Sequence, residues 1–205
     1  MFHKKNRRDF IIFLMYGIIS LPLLSFLKID SNRKSKSCTT DADVEGPFHR
    51  NNAPYRNDLS KGYSGSGTKL KVHGTIMDNE CKPITNNAVL DIWHAGPDGK
   101  YDEESKQYIF RGKIKSDKKG YYYFTTMLPA PYEDNGLLRP KHIHFKVSAP
   151  NFKKLTTQLY FEDDPFLKND RFVIKNNGLK RAMPIKEGNS ILKVQFNINL
   201  ENDTS

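Results

Sequence analysis

Cysteine is nearly absent from this chain: two residues, Cys38 and Cys81, occur among 205. No C-x-x-C spacing exists, which excludes a zinc site built on thiolates. The two thiols leave two readings open: a disulfide tying an N-terminal arm to the first hairpin in an exported protein, or two unrelated free cysteines. Helical periodicity is missing as well. From Thr68 onward no stretch of a dozen residues repeats apolar side chains at helical spacing, which excludes a helical bundle. Basic runs are absent from the body. The formal net charge is +10, but residues 1–38 hold eight Lys/Arg against two Asp/Glu, and the rest of the chain holds 25 against 21. Without a cationic track for phosphates, nucleic acid is not an expected partner.

The basic excess belongs to a leader. "MFHKKNRRDF" is followed by the apolar run "FIIFLMYGIISLPLLSFL", Phe10 to Leu27. A charged start before an apolar stretch is the layout of an export signal, and "NRRDFII" resembles the twin-arginine signal that carries folded proteins. The run is 18 residues long, borderline for a membrane span, and no small-x-small cleavage site follows it. An uncleaved anchor over residues 10–27 therefore stands beside a cleaved signal peptide. Both readings place the body outside the cytoplasm, in the periplasm or cell envelope, with membrane contact only through the leader.

The body itself is mixed in composition, with 37% hydrophobic and 27% charged residues over the whole chain, as expected of a globular domain. The expected organisation is a leader with linker over residues 1–38 and one domain over 39–205. Residues 28–67 are rich in Asn, Ser, Lys, Gly and Pro and read as an extended arm with a loop. Then alternation begins. "KLKVHGTIMD" places Leu70, Val72, Gly74 and Ile76 on one face, and "AVLDIWHA", "YIFRGKIKSD", "YYYFTTM", "HIHFKVSA", "LTTQLYF" and "ILKVQFNINL" repeat the pattern between turn signals. Short strands at this spacing predict an all-β fold, an antiparallel sandwich or barrel, and the expectation carried forward is an antiparallel β-sandwich of about seven to nine strands.

One strand carries a chemical signal. In "RPKHIHF" (139–145), His142 and His144 are two residues apart and so project from one face of the strand, with Ile143 on the other. Two imidazoles on one face are a ready pair of metal ligands, although H-x-H alone is a common sequence. The surroundings narrow it. "EGPF" (45–48), "VHGTIMDNECKPITNNAVLDIWHAGPDGKY" (72–101), "FRGKIKSDKKGYYYFTTMLPAPY" (110–132), "RPKHIHFKVSAPNFKKLTTQLYF" (139–161) and "DDP" (163–165) occur in order. Together they resemble the intradiol ring-cleavage dioxygenases, the protocatechuate and catechol dioxygenases, in their compact, exported single-domain form.

The resemblance implies a mononuclear Fe(III) cofactor held by Tyr101, Tyr132, His142 and His144. It places Arg139 over the substrate ring and Gln158 at the site wall. It also assigns Tyr132 a second, catalytic part: it leaves the metal and takes a proton from the incoming diol. The implied partners are a catechol-type diol and O2, and the implied product is a cis,cis-muconate-type diacid, cut between the two hydroxylated carbons. The chemistry suits these residue types. Fe(III) is hard and prefers anionic oxygen to sulfur, and its charge favours the phenolate over a phenol that otherwise ionises near pH 10. Trp93 is expected in the core, His94 near the site without a role, and His73 in a structural position. His49 departs from the aromatic residue usual after G-P-F, and "EDNGLL" reads as a short loop offering little wall. The competing reading is an exported, non-catalytic β-sandwich binding module that has lost iron. A zinc hydrolase on the two histidines lacks a third ligand at a persuasive spacing. The oligomeric state is left open.

Overall fold

The computed structural model describes residues 38–85 and 87–204. The basic start, the apolar run and the signal-or-anchor reading lie outside the described residues. Among those described, no helix is long and apolar enough to cross a membrane.

Among the described residues eleven strands follow in order: β1 (Lys69–Met77), β2 (Val89–Trp93), β3 (Arg111–Lys115), β4 (Tyr121–Met127), β5 (Tyr132–Asp134), β6 (Leu137–Arg139), β7 (His142–Ser148), β8 (Leu155–Phe161), β9 (Ala182–Met183), β10 (Leu192–Gln195) and β11 (Ile198–Asn199). One short helix, α1 (Arg171–Lys175), and two 3-10 turns lie between β8 and β9. One sheet runs β3-β2-β7-β8-β9; a second has β1 at its centre, flanked by β4 on one side and by β10 and β11 on the other; β5 and β6 form a separate two-stranded sheet. Pairing is antiparallel within β1–β8, whereas β9, β10 and β11 join by parallel pairing. The sandwich is therefore mixed at its C-terminal strands, and the strands beyond the expected number are two- and three-residue pieces.

The expected strand 191–200 is split for a steric reason. Gly74 in β1 faces Phe196, and a Cβ there would lie 1.8 Å from the Phe196 carbonyl oxygen. Only glycine allows that approach. The Phe196 carbonyl accepts the Tyr122 hydroxyl at 2.6 Å, and the Asn197 side chain takes the Thr75 N–H at 3.0 Å, so the ladder pauses and resumes as β11.

Alternation decides which face holds what. Leu70, Val72, Ile76, Tyr122 and Phe124 of one sheet meet Leu90, Ile92, Ile143, Phe145, Val147 and Leu159 of the other in one buried cluster. Burying a side chain of this size stabilises the fold by roughly 1.5–3 kcal/mol. Because Ile143, Phe145 and Val147 take the inner face of β7, His142 and His144 must take the outer one. By the same rule Trp93, Arg111, Gln158 and Tyr160 share that outer face. The histidines are thus not between the sheets. They are buried from above, by the N-terminal arm and the loops that cross this face.

The arm is pinned at its start. Cys38 and Cys81 form a disulfide, which selects the first of the two readings of the cysteines. Backbone bonds from Cys38 to Asn79 and from Thr40 to Asn199 hold the same segment against the second sheet.

Candidate functional site

The site is built on β7. His142 and His144 are 3% and 1% exposed, and their Nε2 atoms lie 3.1 Å apart. Tyr101 comes from the loop after β2, where Gly99 (φ +74°) turns the chain so closely against Pro131 that a Cβ would sit 2.7 Å from its carbonyl oxygen. The Tyr101 hydroxyl reaches 3.3 Å from His142 Nε2 and 3.1 Å from His144 Nε2. Tyr132 begins the β5–β6 hairpin, with its ring 5.3 Å from that of Tyr101 and 5.5 Å from that of His142. Its hydroxyl accepts from Arg139 Nη1 at 3.5 Å.

These atoms can hold a cation. The Pro140 carbonyl lies 2.6 Å from His142 Nδ1, so that nitrogen carries the proton of the neutral ring and Nε2 presents a lone pair. Burial and the positive charge of Arg139 push the His142 imidazole down to about 3, and burial with the adjacent His142 holds His144 well below its ordinary value. Both rings are therefore neutral near pH 7. Tyr101 is pushed well above the usual phenol range by burial and by Tyr132, with Arg139 and Arg111 opposing, so it ionises only beside a strong positive charge. Donors about 2.1 Å from one ion, at tetrahedral to octahedral angles, stand about 3.0–3.4 Å apart. The Tyr101, His142 and His144 triangle has that size. Among the described residues no group of three His, Cys, Asp or Glu is placed to bind a metal, so the capacity depends on the tyrosines.

Arg139 stands at the hairpin end, paired in register with Tyr132. It is 4% exposed and forms an ion pair with Asp170, Nε to Oδ2 2.9 Å. Burial disfavours the Arg139 cation, but the Asp170 carboxylate outweighs it and holds the guanidinium above its ordinary value. Asp170 also accepts the Phe172 and Val173 N–H groups at the start of α1, both at 2.9 Å, so one carboxylate joins the helix to the arginine. Gln158 is fully buried; it donates to the Val44 carbonyl at 2.7 Å and accepts the Tyr160 hydroxyl at 2.8 Å. Arg139 Nη2 stands 3.5 Å from its Oε1. Gln158 thus links the arm to Arg139.

Several placements differ from expectation. Trp93 is buried but belongs to the outer face, because it pairs in register with His144; its ring stacks on that imidazole at 4.8 Å and 6°. His49 meets the edge of Trp93 at 4.7 Å and bonds Asp91 at 3.3 Å, behind the site. His94 is fully occupied by the Ala95 carbonyl (2.7 Å) and Thr126 Oγ1 (2.8 Å). "EDNGLL" is not an open loop. Asn135 and Gly136 both have positive φ, +54° and +78°, and close a two-residue hairpin, for which an Asn-Gly pair is the strongest local signal. Leu137 and Leu138 project from it, exposed, into a cleft of about 380 Å³ that Phe166, Arg171 and Arg139 also line. Phe48 had no assigned role, yet its ring stacks on Tyr101 at 4.2 Å and 11° and meets Tyr132 edge-on at 5.9 Å.

Comparison with known proteins agrees with this arrangement. A family model described as a dioxygenase matches residues 44–202. The chlorocatechol 1,2-dioxygenase of Cupriavidus pinatubonensis is 32% identical over 171 residues, covering 75% of this chain and 67% of that protein. The catechol 1,2-dioxygenase of Acinetobacter baylyi is 35% identical over 162 residues, covering 68% of this chain and 52% of that protein. The chain thus spans about half to two thirds of the length of these relatives. The solved dioxygenase domain of a dioxygenase carbohydrate-binding protein fusion from Streptomyces sp. SirexAA-E superposes with a TM-score of 0.70 at 29% identity, covering 80% of this chain and 99% of that one. The match runs through the arm, both sheets and every segment that lines the histidine face, and by it the chain belongs to the intradiol ring-cleavage dioxygenase family.

Proposed function

We propose that this chain is a non-haem Fe(III) dioxygenase that cleaves a catechol-type ring between its two hydroxylated carbons with O2, giving a cis,cis-muconate-type diacid. The convergence of Tyr101 Oη, His142 Nε2 and His144 Nε2 within 3.1–3.3 Å of one another carries the reading. These three residues would hold the iron, with Tyr132 as the fourth ligand. When bound, ferric iron supplies the Lewis-acidic, electron-accepting centre that activates a catecholate toward O2.

The rest falls to the protein. His142 is oriented by the Pro140 carbonyl, and Tyr101 is packed against Phe48. Burial raises the Tyr132 phenol less than that of Tyr101, and Tyr132 faces Arg139, so its oxygen is the one placed to take a proton from an entering diol. Arg139 keeps its proton throughout and, fixed by Asp170, stabilises the negative charge that builds on the ring as it is attacked. The cleft beside the hairpin shares Arg139 with the site, so its Leu137, Leu138 and Phe166 walls bear on which ring substituents enter.

Export belongs to the same proposal. The Cys38–Cys81 disulfide supports an oxidising compartment, as the leader implies. Oxygen uptake by the iron-loaded protein with a panel of catechols, with product identification, tests activity and cleavage position together. Stoichiometric uptake with a muconate-type product is expected; failure of the protein to take up iron, or no uptake of oxygen by the iron-loaded protein on any catechol, would overturn it.

A further inference from the structure

Arg111 is a buried cation that the chemistry above does not use. Arg111 in β3 is 1% exposed and lies on the same sheet face as Trp93, its partner in register. Burial, with Arg50 nearby, lowers its guanidinium to about 10, so it stays charged at neutral pH. Among the described residues it makes no ion pair with a carboxylate. Its bonds go to two backbone carbonyls instead: Nε donates to Asp102 at 2.8 Å and Nη1 to Phe48 at 2.6 Å. A buried charge whose hydrogen bonds go to neutral acceptors needs a reason. No carboxylate among the described residues touches it, and the nearby Asp102 and Glu103 charges offset its desolvation only in part.

The two acceptors supply that reason. Asp102 follows Tyr101 directly, and Phe48 is the residue whose ring stacks on Tyr101 at 4.2 Å. The arm and the loop after β2 are far apart in sequence, and one planar fork fixes the distance between their carbonyls. The arm also passes over His144, where a Cβ on Gly46 would lie 3.7 Å from the imidazole Cε1. We propose that Arg111 is a positioning residue: it clamps the arm at Phe48 to the loop at Asp102 and so holds Tyr101 Oη in register with His142 and His144. Its effect on metal retention rests on the reading that Tyr101 is a ligand; its effect on the arm does not.

The test uses the full chain as isolated. Backbone hydrogen exchange of the metal-free protein is followed in segments 44–50 and 99–105, and Fe(III) release to a chelator is timed in the loaded protein. Arg111→Lys keeps the charge but cannot bond both carbonyls from separate fork nitrogens. Val194→Ala in β10 serves as a variant of lowered stability remote from the arm. The expected result is at least tenfold faster exchange in both segments and at least tenfold faster iron release for Arg111→Lys, with neither change in Val194→Ala. Phe48→Leu keeps both Arg111 bonds and raises exchange in these segments by less than twofold. Wild-type exchange in Arg111→Lys, or equal acceleration in Val194→Ala, overturns the clamp. A larger rise in Phe48→Leu does so too, by assigning the cohesion to the ring stack. If the wild-type protein retains no iron, the metal reading fails, and exchange still decides the clamp.

Discussion

The Tyr101 hydroxyl oxygen sits within 3.3 Å of two imidazole nitrogens, and in the proposed reading it is the atom that binds iron. Tyr101→Phe removes the donor while keeping the ring against Phe48, so the fold should persist and Fe(III) affinity should fall at least tenfold. Metal content after dialysis and the loss of visible charge-transfer absorption check it. Asp170 is the other residue on which much depends. It is the ion-pair partner of Arg139 and the N-cap of α1 at once. Breaking a buried pair from one side costs about 3–5 kcal/mol, because the remaining charge is left uncompensated. Asp170→Asn is therefore expected to lower unfolding stability by about 3 kcal/mol in urea titration and to slow ring cleavage at least tenfold. That His142 and His144 share one strand face was legible from their spacing, and their pairing with Tyr101 and Tyr132 only from the surrounding motifs. Asp170 was not, because nothing in "NDRFVIK" says which arginine will lie beside the cap.

The β5–β6 hairpin and the arm are the elements that complete the site. Gly136 has φ +78°, and a Cβ added there would have nothing within 4 Å, so Gly136→Ala meets no clash and strains only the backbone. A loss of about 1 kcal/mol is expected, measured by thermal unfolding. The arm depends on its tether. Cys38 and Cys81 close a loop with a sequence separation of 43, and a cross-link of that span contributes about 4 kcal/mol through the unfolded chain. Cys81→Ser should lower the urea midpoint accordingly and raise hydrogen exchange first in residues 38–50. The strands were readable because alternation is a local property: β4 and β8 occupy the expected windows residue for residue. The split of the last strand was not, since it arises from Gly74 meeting Phe196 across the sheet.

At the scale of the whole molecule, buried neutral histidines make stability depend on pH. His94 is pushed down to about 4 by burial, opposed by the Ala95 carbonyl, and His142 is pushed down to about 3. In the unfolded chain each titrates near 6.5, at about the ordinary value. Between the folded and unfolded values the unfolded state binds more protons, so stability rises with pH there and is lost as pH falls from about 6.5 toward 4. Each group contributes up to about 1.4 kcal/mol per pH unit in that window. The metal-free protein should show a falling urea midpoint from pH 6.5 to 4.5. A midpoint flat over this range would mean the imidazoles are solvated. Below about pH 4, protonation of Asp170, whose pKa its bonds to Arg139 and the α1 N–H groups hold down against burial, removes a further contribution.

The sequence by itself determined the all-β architecture and the family, and singled out the donor side chains Tyr101, Tyr132, His142 and His144 through the resemblance. Alternation, turn residues and side-chain donor types are properties of short segments, and they survive being read in one dimension. Only the tertiary structure decided that the histidines face outward under the arm, that Trp93 backs His144, that Phe48 packs on Tyr101, and that Arg111 and Asp170 hold the pieces in place. Those contacts join residues tens of positions apart. Their partners are chosen by sheet register and by which segment crosses which face, and no local pattern records either.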